Sequence, residues 1–148
     1  MNMAEHHFHL TAKWPGGRNN VGTIDAGQLK TEVSVPEEMD GPGVGTNPDE
    51  MLLGAAATCY IITLAAMIER TELPLKHMSL TSEAIVDFTK GVITFKKIIH
   101  RPVVELEASR TDKEFRKLER LVEMAESSCM ISRALAGNVE ITLEPTLL

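Results

Sequence analysis

The segment of residues 46–70 is the longest nearly uncharged stretch of the chain, and it limits what the rest can fold into. Thr46 or Asn47 can cap a helix at this point, and Pro48 would occupy the first helical position, where its missing N–H costs nothing. Two acidic residues follow in the first turn, where the helix dipole favours negative charge. The sequence therefore predicts a long helix that is apolar on nearly every face and must be covered on nearly every face.

A chain of 148 residues has little material with which to cover such a helix, so we expect a partner subunit to supply part of the cover. A membrane span is the alternative interpretation, because apolar runs of roughly 20 residues can cross a bilayer. The run from Met51 to Ile68 is long enough, but it is rich in Ala, Gly and Thr, and no second run accompanies it. We therefore expect no membrane association.

The length predicts one domain, residues 1–148, with one core. The net charge of -6 argues against nucleic acid or an anionic membrane as a partner, since both are bound through excess Lys and Arg. The amino terminus is polar and does not resemble a signal peptide, so we expect a cytoplasmic protein. Its two cysteines, Cys59 and Cys129, are then either a transient redox pair or two unrelated buried thiols.

Strands are predicted on both sides of the long helix, because apolar residues alternate there and turn residues separate the runs. Ala26-Gly27 and Thr89-Lys90-Gly91 each separate two such runs and predict two hairpins. Pro102 suggests that one strand lies at an edge or contains a bulge. A capping-box pattern at Thr111 opens an amphipathic helix, and Cys129 then falls in the first turn of a short helix that Gly137 ends. The predicted elements are strands Glu5–Trp14, Val21–Asp25 and Gln28–Val35, the long helix, strands Leu75–Phe88 and Val92–Ala108, the two later helices, and strand Val139–Leu143. This order predicts an α+β fold, with a mainly antiparallel sheet packed on the long buried helix.

Three residues are candidates for chemistry from their local sequence. Cys59 is either a small hydrophobe in the helix or, given a cation from elsewhere, a reactive thiolate. Arg18 follows Gly16-Gly17 and is either that cation or an ordinary turn arginine. Cys129 stands at a helix start, where free N–H groups favour a thiolate, or is a buried packing thiol. Since 70 residues separate the cysteines, sequence does not show whether their Cα atoms reach the roughly 4.4–6.8 Å of a disulfide.

The first predicted strand contains a cluster of histidines that invites a metal-site interpretation. Its spacing does not match a metal site, and no second cluster lies nearby in sequence. We expect a solvated strand face and no metal. The histidines are His6, His7 and His9.

Several sequence blocks together resemble the OsmC/Ohr family of thiol peroxidases. The resemblance extends in order over nearly the whole chain, and two cysteine blocks plus an arginine turn make it specific. The matching blocks are Gly16-Gly17-Arg18, Asp25-Ala26-Gly27, Gly43-Val44-Gly45-Thr46-Asn47-Pro48-Asp49-Glu50, Ala55-Ala56-Ala57-Thr58-Cys59 and Ala125-Glu126-Ser127-Ser128-Cys129-Met130-Ile131-Ser132-Arg133-Ala134-Leu135. By this resemblance the fold is OsmC-like and the protein is an intertwined homodimer with two sites at the subunit boundary.

The resemblance also implies roles for individual residues. Cys59 corresponds to the peroxidatic cysteine, Cys129 to the resolving cysteine, and Arg18 to the arginine that holds the first thiolate. The family's carboxylate partner for this arginine is usually a glutamate ten residues before the peroxidatic cysteine, a position that is Asp49 here. Glu50 also matches an often acidic position, so both acids are candidates and Asp49 is preferred.

A second departure from the family pattern follows the later cysteine. Met130 stands where family members commonly have proline. Either departure implies that peroxidase activity is altered or weakened.

The implied function is a thiol-dependent peroxidase that reduces organic hydroperoxides to alcohols through a Cys59 sulfenate and a Cys59–Cys129 disulfide. The apolar surroundings of Cys59 in the long helix favour alkyl or fatty-acid hydroperoxides as substrates. An external dithiol, a dihydrolipoyl or thioredoxin-like protein, would reduce the disulfide, and no cofactor is implied. The alternative is a non-enzymatic dimeric protein of the same fold that binds a small apolar ligand, with both cysteines structural.

Overall fold

The computed structural model describes residues 4–148, and these form two compact units. The first unit ends at Met51 and the second begins at Leu52, so the boundary falls within the first turns of the long helix. The observed elements, in chain order, are strands β1 (Thr11–Lys13), β2 (Gly22–Ala26) and β3 (Leu29–Val33), a short 3-10 helix (Glu37–Met39), α1 (Pro48–Arg70), β4 (Leu75–Thr89), β5 (Val92–Leu106), α2 (Asp112–Ser128), α3 (Met130–Leu135), β6 (Glu140–Leu143) and β7 (Thr146–Leu147). The predicted α+β fold is confirmed.

The amino-terminal unit is built on an antiparallel sheet in the order β1-β2-β3. The predicted hairpin of β2 and β3 is present, and Gly27 turns it with a positive φ of 63°. The predicted first strand is much shorter than expected, because only Thr11–Lys13 of the range Glu5–Trp14 pairs with β2. The histidines at positions 6, 7 and 9 therefore lie before the strand, exposed.

The carboxy-terminal unit is built on a long antiparallel hairpin, β4 and β5. Lys90 and Gly91 form its turn, both with positive φ (53° and 78°), as a two-residue hairpin connection requires. The two short strands β6 and β7 add to β5 in the parallel direction. Strand β7 has no counterpart among the predicted strands.

Pro102 lies in the central strand β5 and its side chain is fully buried, so of the two predicted alternatives the edge strand is wrong. The other alternative, a bulge, occurs in the same strand at Lys96, because Ile85 pairs with Lys97 and Val86 with Phe95. Strand β6 pairs with residues 97–100 of β5, and β7 pairs with Val103 and Val104. Pro102 falls between these two pairings. Its missing N–H is tolerated because no strand residue on that side requires it.

Helix α1 begins as predicted, with Asn47 accepting the backbone N–H of Glu50 at 2.9 Å and Pro48 in the first position. Its buried residues recur at three and four positions and so form one face, which packs on β5 and α2 in the main core. Ile62, on another face, is 67% exposed. The buried residues of α1 are Ala56, Tyr60, Leu64, Met67 and Ile68.

Helix α2 begins with the predicted capping box. Thr111 accepts the N–H of Glu114 at 3.1 Å, and the Glu114 carboxylate accepts the N–H of Thr111 at 2.8 Å. The helix ends at Ser128, and Cys129 lies between α2 and α3 with extended backbone (φ -61°, ψ 128°). Cys129 is therefore the N-cap of α3, one position before the predicted first turn.

Candidate active site

The carboxy-terminal unit brings the two cysteines together. Cys59 lies in the fourth turn of α1 and keeps part of its surface exposed, whereas Cys129 has no exposed surface. Both are free thiols. Cys129 acts on Cys59 in the sense of a hydrogen-bond donor, which lowers the pKa of the Cys59 thiol and raises that of the Cys129 thiol.

The surroundings of Cys59 favour its thiolate. Burial raises the pKa of the Cys59 thiol, but several hydrogen bonds lower it more, and the pKa lies below the ordinary value for a cysteine. All of these donors are uncharged, and two are backbone groups at the start of α3, where helical N–H groups have no intrahelical acceptor. In decreasing order of effect they are the Cys129 thiol, the backbone N–H of Ile131, the backbone N–H of Met130 and the Thr63 hydroxyl.

The pKa of the Cys129 thiol is shifted in the opposite direction, above its ordinary value. Burial raises the pKa of its thiol, and the hydrogen bond with Cys59 raises it further. In this contact Cys129 keeps its proton and donates, while Cys59 accepts and is the sulfur that ionises first. The pair is therefore polarised, with one nucleophilic sulfur and one protonated sulfur beside it.

Arg18 lies in the amino-terminal unit, on a turn closed by the bond from Asn20 N–H to Gly17 O (3.1 Å). Its guanidinium donates to the backbone oxygen of Met39 and to Asn19 Oδ1, both at 2.8 Å. The bond to Met39 ties the glycine turn to the 3-10 helix, and the bond to Asn19 lies within the turn itself. Both acceptors are uncharged.

Asp49 and Glu50 lie in the first turn of α1, also within the amino-terminal unit. Glu50 is exposed, and its carboxylate accepts a hydrogen bond from the Thr46 hydroxyl at 2.9 Å. Asp49 is half-buried. Within residues 4–148, Arg18 forms no ion pair with either acid.

Sequence reasoning missed two hydroxyls that lie beside the thiols. Thr63 follows Cys59 by one helical turn, a spacing that places two side chains on the same face, and this signal was available in the sequence. Ser132 is 5% exposed and its hydroxyl has no hydrogen-bond partner in the described part of the chain. No local pattern marks that serine as buried.

A buried aromatic contact adjoins Cys59. Tyr60, the next residue of α1, is fully buried, stacks on His100 of β5 and donates from its hydroxyl to Val122 O at 2.9 Å. Burial raises the pKa of Tyr60, helped by Glu123, so the phenol stays protonated. Burial also lowers the pKa of His100.

Two further features of the described residues concern metals and membranes. No group of three or more His, Cys, Asp or Glu side chains that could hold a metal ion occurs in residues 4–148. Helix α1 is long and apolar enough, by length and composition, to cross a membrane, with a mean hydropathy of 2.1 over its best window. Core helices of soluble proteins meet the same criterion.

Comparison with known proteins places this chain in a family. The model of the family "OsmC-like protein" matches residues 41–144, and the chain belongs to that family. A relative from Bacillus subtilis, the uncharacterized protein YmaD, is 61% identical over 145 residues, which covers 98% of this chain and 97% of the relative. An organic hydroperoxide resistance protein of Xanthomonas axonopodis pv. citri is 29% identical over 137 residues, covering 91% and 90%.

A solved structure gives the same fold. It is an organic hydroperoxide resistance protein of Legionella pneumophila, which superimposes with a TM-score of 0.78 at 24% identity and covers 97% of this chain and 99% of its own. The OsmC-like fold expected from the sequence blocks is thereby confirmed.

Proposed function

We propose that this protein is a thiol-dependent peroxidase that reduces organic hydroperoxides to alcohols. The observation that carries the proposal is the contact of Cys59 with Cys129, in which the pKa of the first thiol is lowered and that of the second is raised. The family and a relative named for organic hydroperoxide resistance support it. Opposite pKa shifts in two neighbouring thiols are what a nucleophilic and a resolving cysteine require, and two unrelated structural thiols do not require them.

The proposed reaction begins with the Cys59 thiolate. Its sulfur attacks the terminal oxygen of the hydroperoxide, the O–O bond breaks, and the alkoxide leaves and takes up a proton to become the alcohol. Cys59 is then a sulfenic acid. Cys129 attacks this sulfur, the S–O bond breaks, and the released hydroxide with the thiol proton forms water. A Cys59–Cys129 disulfide remains, and a dithiol reductant such as a dihydrolipoyl or thioredoxin-like protein restores both thiols.

Arg18 is proposed to stabilise negative charge on the attacking sulfur and on the leaving oxygen, as its place in the family pattern implies. A guanidinium presents several N–H donors in a fixed plane and suits both charges. Asp49, or else Glu50, is proposed to orient it. These three roles rest on the matching sequence blocks and are tested below by substitution.

Alkyl and fatty-acid hydroperoxides are the proposed substrate class, because Cys59 stands in a helix whose neighbouring side chains are apolar. Ile62 and Met51 of α1 both have exposed surface that an alkyl group could contact. The expected preference is a higher kcat/KM for cumene hydroperoxide than for hydrogen peroxide. The reverse order would contradict this substrate class.

A homodimer is the proposed assembly. Large apolar side chains are exposed on α1 and at the tip of the β4–β5 hairpin, and a single chain gains nothing from exposing them. Light scattering at micromolar concentration is expected to give twice the chain mass, and a monomer would contradict the proposal. The side chains concerned are Ile62 (67% exposed), Phe88 (71%), Val92 (59%) and Ile93 (48%).

Thiol titration separates the peroxidase from a ligand-binding protein of the same fold. One equivalent of organic hydroperoxide per chain is expected to remove two thiols per chain, and the Cys59→Ser variant is expected to lose none. Cys129→Ser is the matched variant, which should lose one thiol and retain a sulfenic acid that dimedone traps. Unchanged thiols in the parent protein would favour the binding protein.

A further inference from the structure

Ser132 is a buried serine with an unused hydroxyl. It is 5% exposed, and its Oγ has no hydrogen-bond partner in the described part of the chain. Leaving a buried hydroxyl unpaired costs about 1–3 kcal/mol, so such groups are rare and call for an explanation. The surrounding residues offer one.

The position of Ser132 in α3 directs it towards Cys129. Cys129 is the N-cap of α3 and Ser132 is the third helical residue. A side chain at this third position lies one helical turn from the N-cap residue, and in capping boxes it reaches back to the backbone N–H of that residue. The Cys129 side chain makes no capping hydrogen bond of its own.

The electrostatics agree with this geometry. Burial and Cys59 raise the pKa of the Cys129 thiol, and Ser132 acts in the opposite direction through its hydroxyl and its backbone N–H. Among the titratable groups, Cys59 from α1 acts on Cys129, and Glu126 from α2 is affected by the Ser132 hydroxyl. Burial and Glu123 raise the pKa of Glu126, and the Ser132 hydroxyl lowers it.

We propose that Ser132 is a positioning residue for the second thiol, and that its hydroxyl donates a hydrogen bond to the Cys129 sulfur when that sulfur becomes negatively charged. A hydroxyl rotates freely about its C–O bond, so an unpaired one can turn to a new acceptor without moving the backbone. While Cys129 is protonated, its own S–H serves Cys59, and the Ser132 hydroxyl has no hydrogen-bond partner in the described residues. Once Cys129 is ionised, its sulfur becomes a strong acceptor for that hydroxyl.

This role rests on the proposed peroxidase function and concerns its second step. As the Cys129 sulfur attacks the Cys59 sulfenic acid, its S–H bond breaks, an S–S bond forms and the S–O bond of Cys59 breaks. The thiol proton leaves with the hydroxide as water. The Ser132 hydroxyl lowers the cost of the charge that Cys129 carries during this step, and it is neither consumed nor oxidised.

The first test measures the ionisation of Cys129 alone. In a Cys59→Ser background, thiolate absorbance at 240 nm is followed against pH with and without Ser132→Ala. We expect the pKa of Cys129 to rise by about one unit without the hydroxyl. Ser132→Thr keeps the hydroxyl and should restore the lower pKa. Ser128→Ala, a neighbouring exposed serine, should leave it unchanged. Equal pKa values with and without the Ser132 hydroxyl would overturn the proposal.

The second test measures the resolving step. A rise of one unit in the pKa of Cys129 leaves about tenfold less thiolate at a given pH, and the greater nucleophilicity of a more basic thiol recovers about threefold, so disulfide formation should slow about three- to fourfold. Dimedone should accordingly trap more Cys59 sulfenic acid in Ser132→Ala than in the parent or in Ser128→Ala. Equal trapping, in folded variants of equal Tm, would contradict a role in this step.

The two tests separate this inference from the function on which it rests. A pKa change in the first test, in a protein that does not consume hydroperoxide, would refute the peroxidase and keep the Ser132–Cys129 interaction. Peroxidase activity with no change in the Cys129 pKa and no change in dimedone trapping would keep the peroxidase function and refute the Ser132–Cys129 interaction.

Discussion

Tyr60 stacks on His100 with ring centroids 4.9 Å apart and an interplanar angle of 29°, and this contact joins α1 to the central strand β5 directly beside Cys59. Both side chains are fully buried. His100 Nδ1 lies 2.6 Å from Ser82 Oγ, and its Nε2 has no hydrogen-bond partner within residues 4–148. The cysteine-bearing helix is thus held against the sheet by a polar aromatic pair in the middle of an apolar core.

Tyr60→Phe should destabilise the protein modestly. It removes the hydroxyl that donates to Val122 O but keeps the ring on His100, so only one buried hydrogen bond is lost, about 1 kcal/mol. For a chain of this size that corresponds to a fall in Tm of about 2–4 °C. Thermal unfolding followed by circular dichroism checks this, with Tyr60→Leu expected to fall further because the stacking is lost too. A Tm for Tyr60→Phe equal to that of the parent would show that the bond contributes nothing.

His100 should make the protein less stable in mild acid. Burial holds its folded-state pKa below the unfolded value of about 6.5, so the folded state resists protonation that the unfolded chain accepts. The contribution of neutral His100 to the free energy of unfolding is complete well above pH 6.5. It is lost as the pH falls through 6.5 towards the folded-state pKa. Between pH 7.5 and 5.5 this group removes at most about 1 kcal/mol, the loss reached when the folded state takes up no proton at His100, and His100→Gln should abolish that part of the loss.

Urea unfolding at the two pH values provides the measurement for His100. His77 of β4 is exposed, and His77→Gln is the matched control that should retain the parent's pH dependence. If His100→Gln and the parent lose the same free energy of unfolding on acidification, the buried imidazole is not responsible.

Met130→Pro should raise the pKa of Cys59. The backbone of Cys129 (φ -61°, ψ 128°) is already in the extended region that a residue before proline requires, and proline is favoured at the first helical position. The fold therefore accepts the change, and what disappears is the Met130 N–H that lowers the pKa of Cys59. In a Cys129→Ser background we expect a rise of up to about one unit.

The rate of iodoacetamide alkylation against pH gives the Cys59 pKa in these variants. Met130→Ala keeps the N–H and removes the side chain, so it should match the parent. A pKa in Met130→Pro equal to that in Met130→Ala would mean that this amide does not stabilise the thiolate.

Arg18→Met should reduce kcat/KM for an organic hydroperoxide by about a hundredfold, because one preorganised donor to developing charge contributes about that much. Arg18→Lys should recover little, since an ammonium does not reproduce the planar donor set. Comparing Asp49→Asn with Glu50→Gln then identifies the orienting acid, and the larger loss is expected at Asp49. Unaltered kinetics in Arg18→Met would remove the arginine from the mechanism.

The parts of the fold that depend on neighbouring residues could be predicted from the sequence. Asn47-Pro48 marks the start of α1, Thr111 with Glu114 marks the start of α2, and Lys90-Gly91 marks the hairpin turn, because caps and turns are decided within four residues. The end of α3 before Gly137 follows for the same reason.

The parts that depend on distant pairing could not be predicted. The parallel addition of β6 and β7 to β5 joins residues about 43 positions apart, and nothing in a four-residue strand specifies its partner. The burial of His100 and Ser132 has the same origin, since each looks like an ordinary polar residue in its own segment. The contact of Cys59 with Cys129 was implied only by family resemblance, because 70 residues separate them.

The unequal burial of the two sulfurs has a consequence for chemical damage. Cys129 has no surface open to solvent, whereas Cys59 does. Any electrophile or strong oxidant that diffuses in must meet Cys59 first, so irreversible overoxidation is directed to one sulfur of each chain. The interior sulfur is spared, and the chain keeps one intact thiol even after its outer one has been lost.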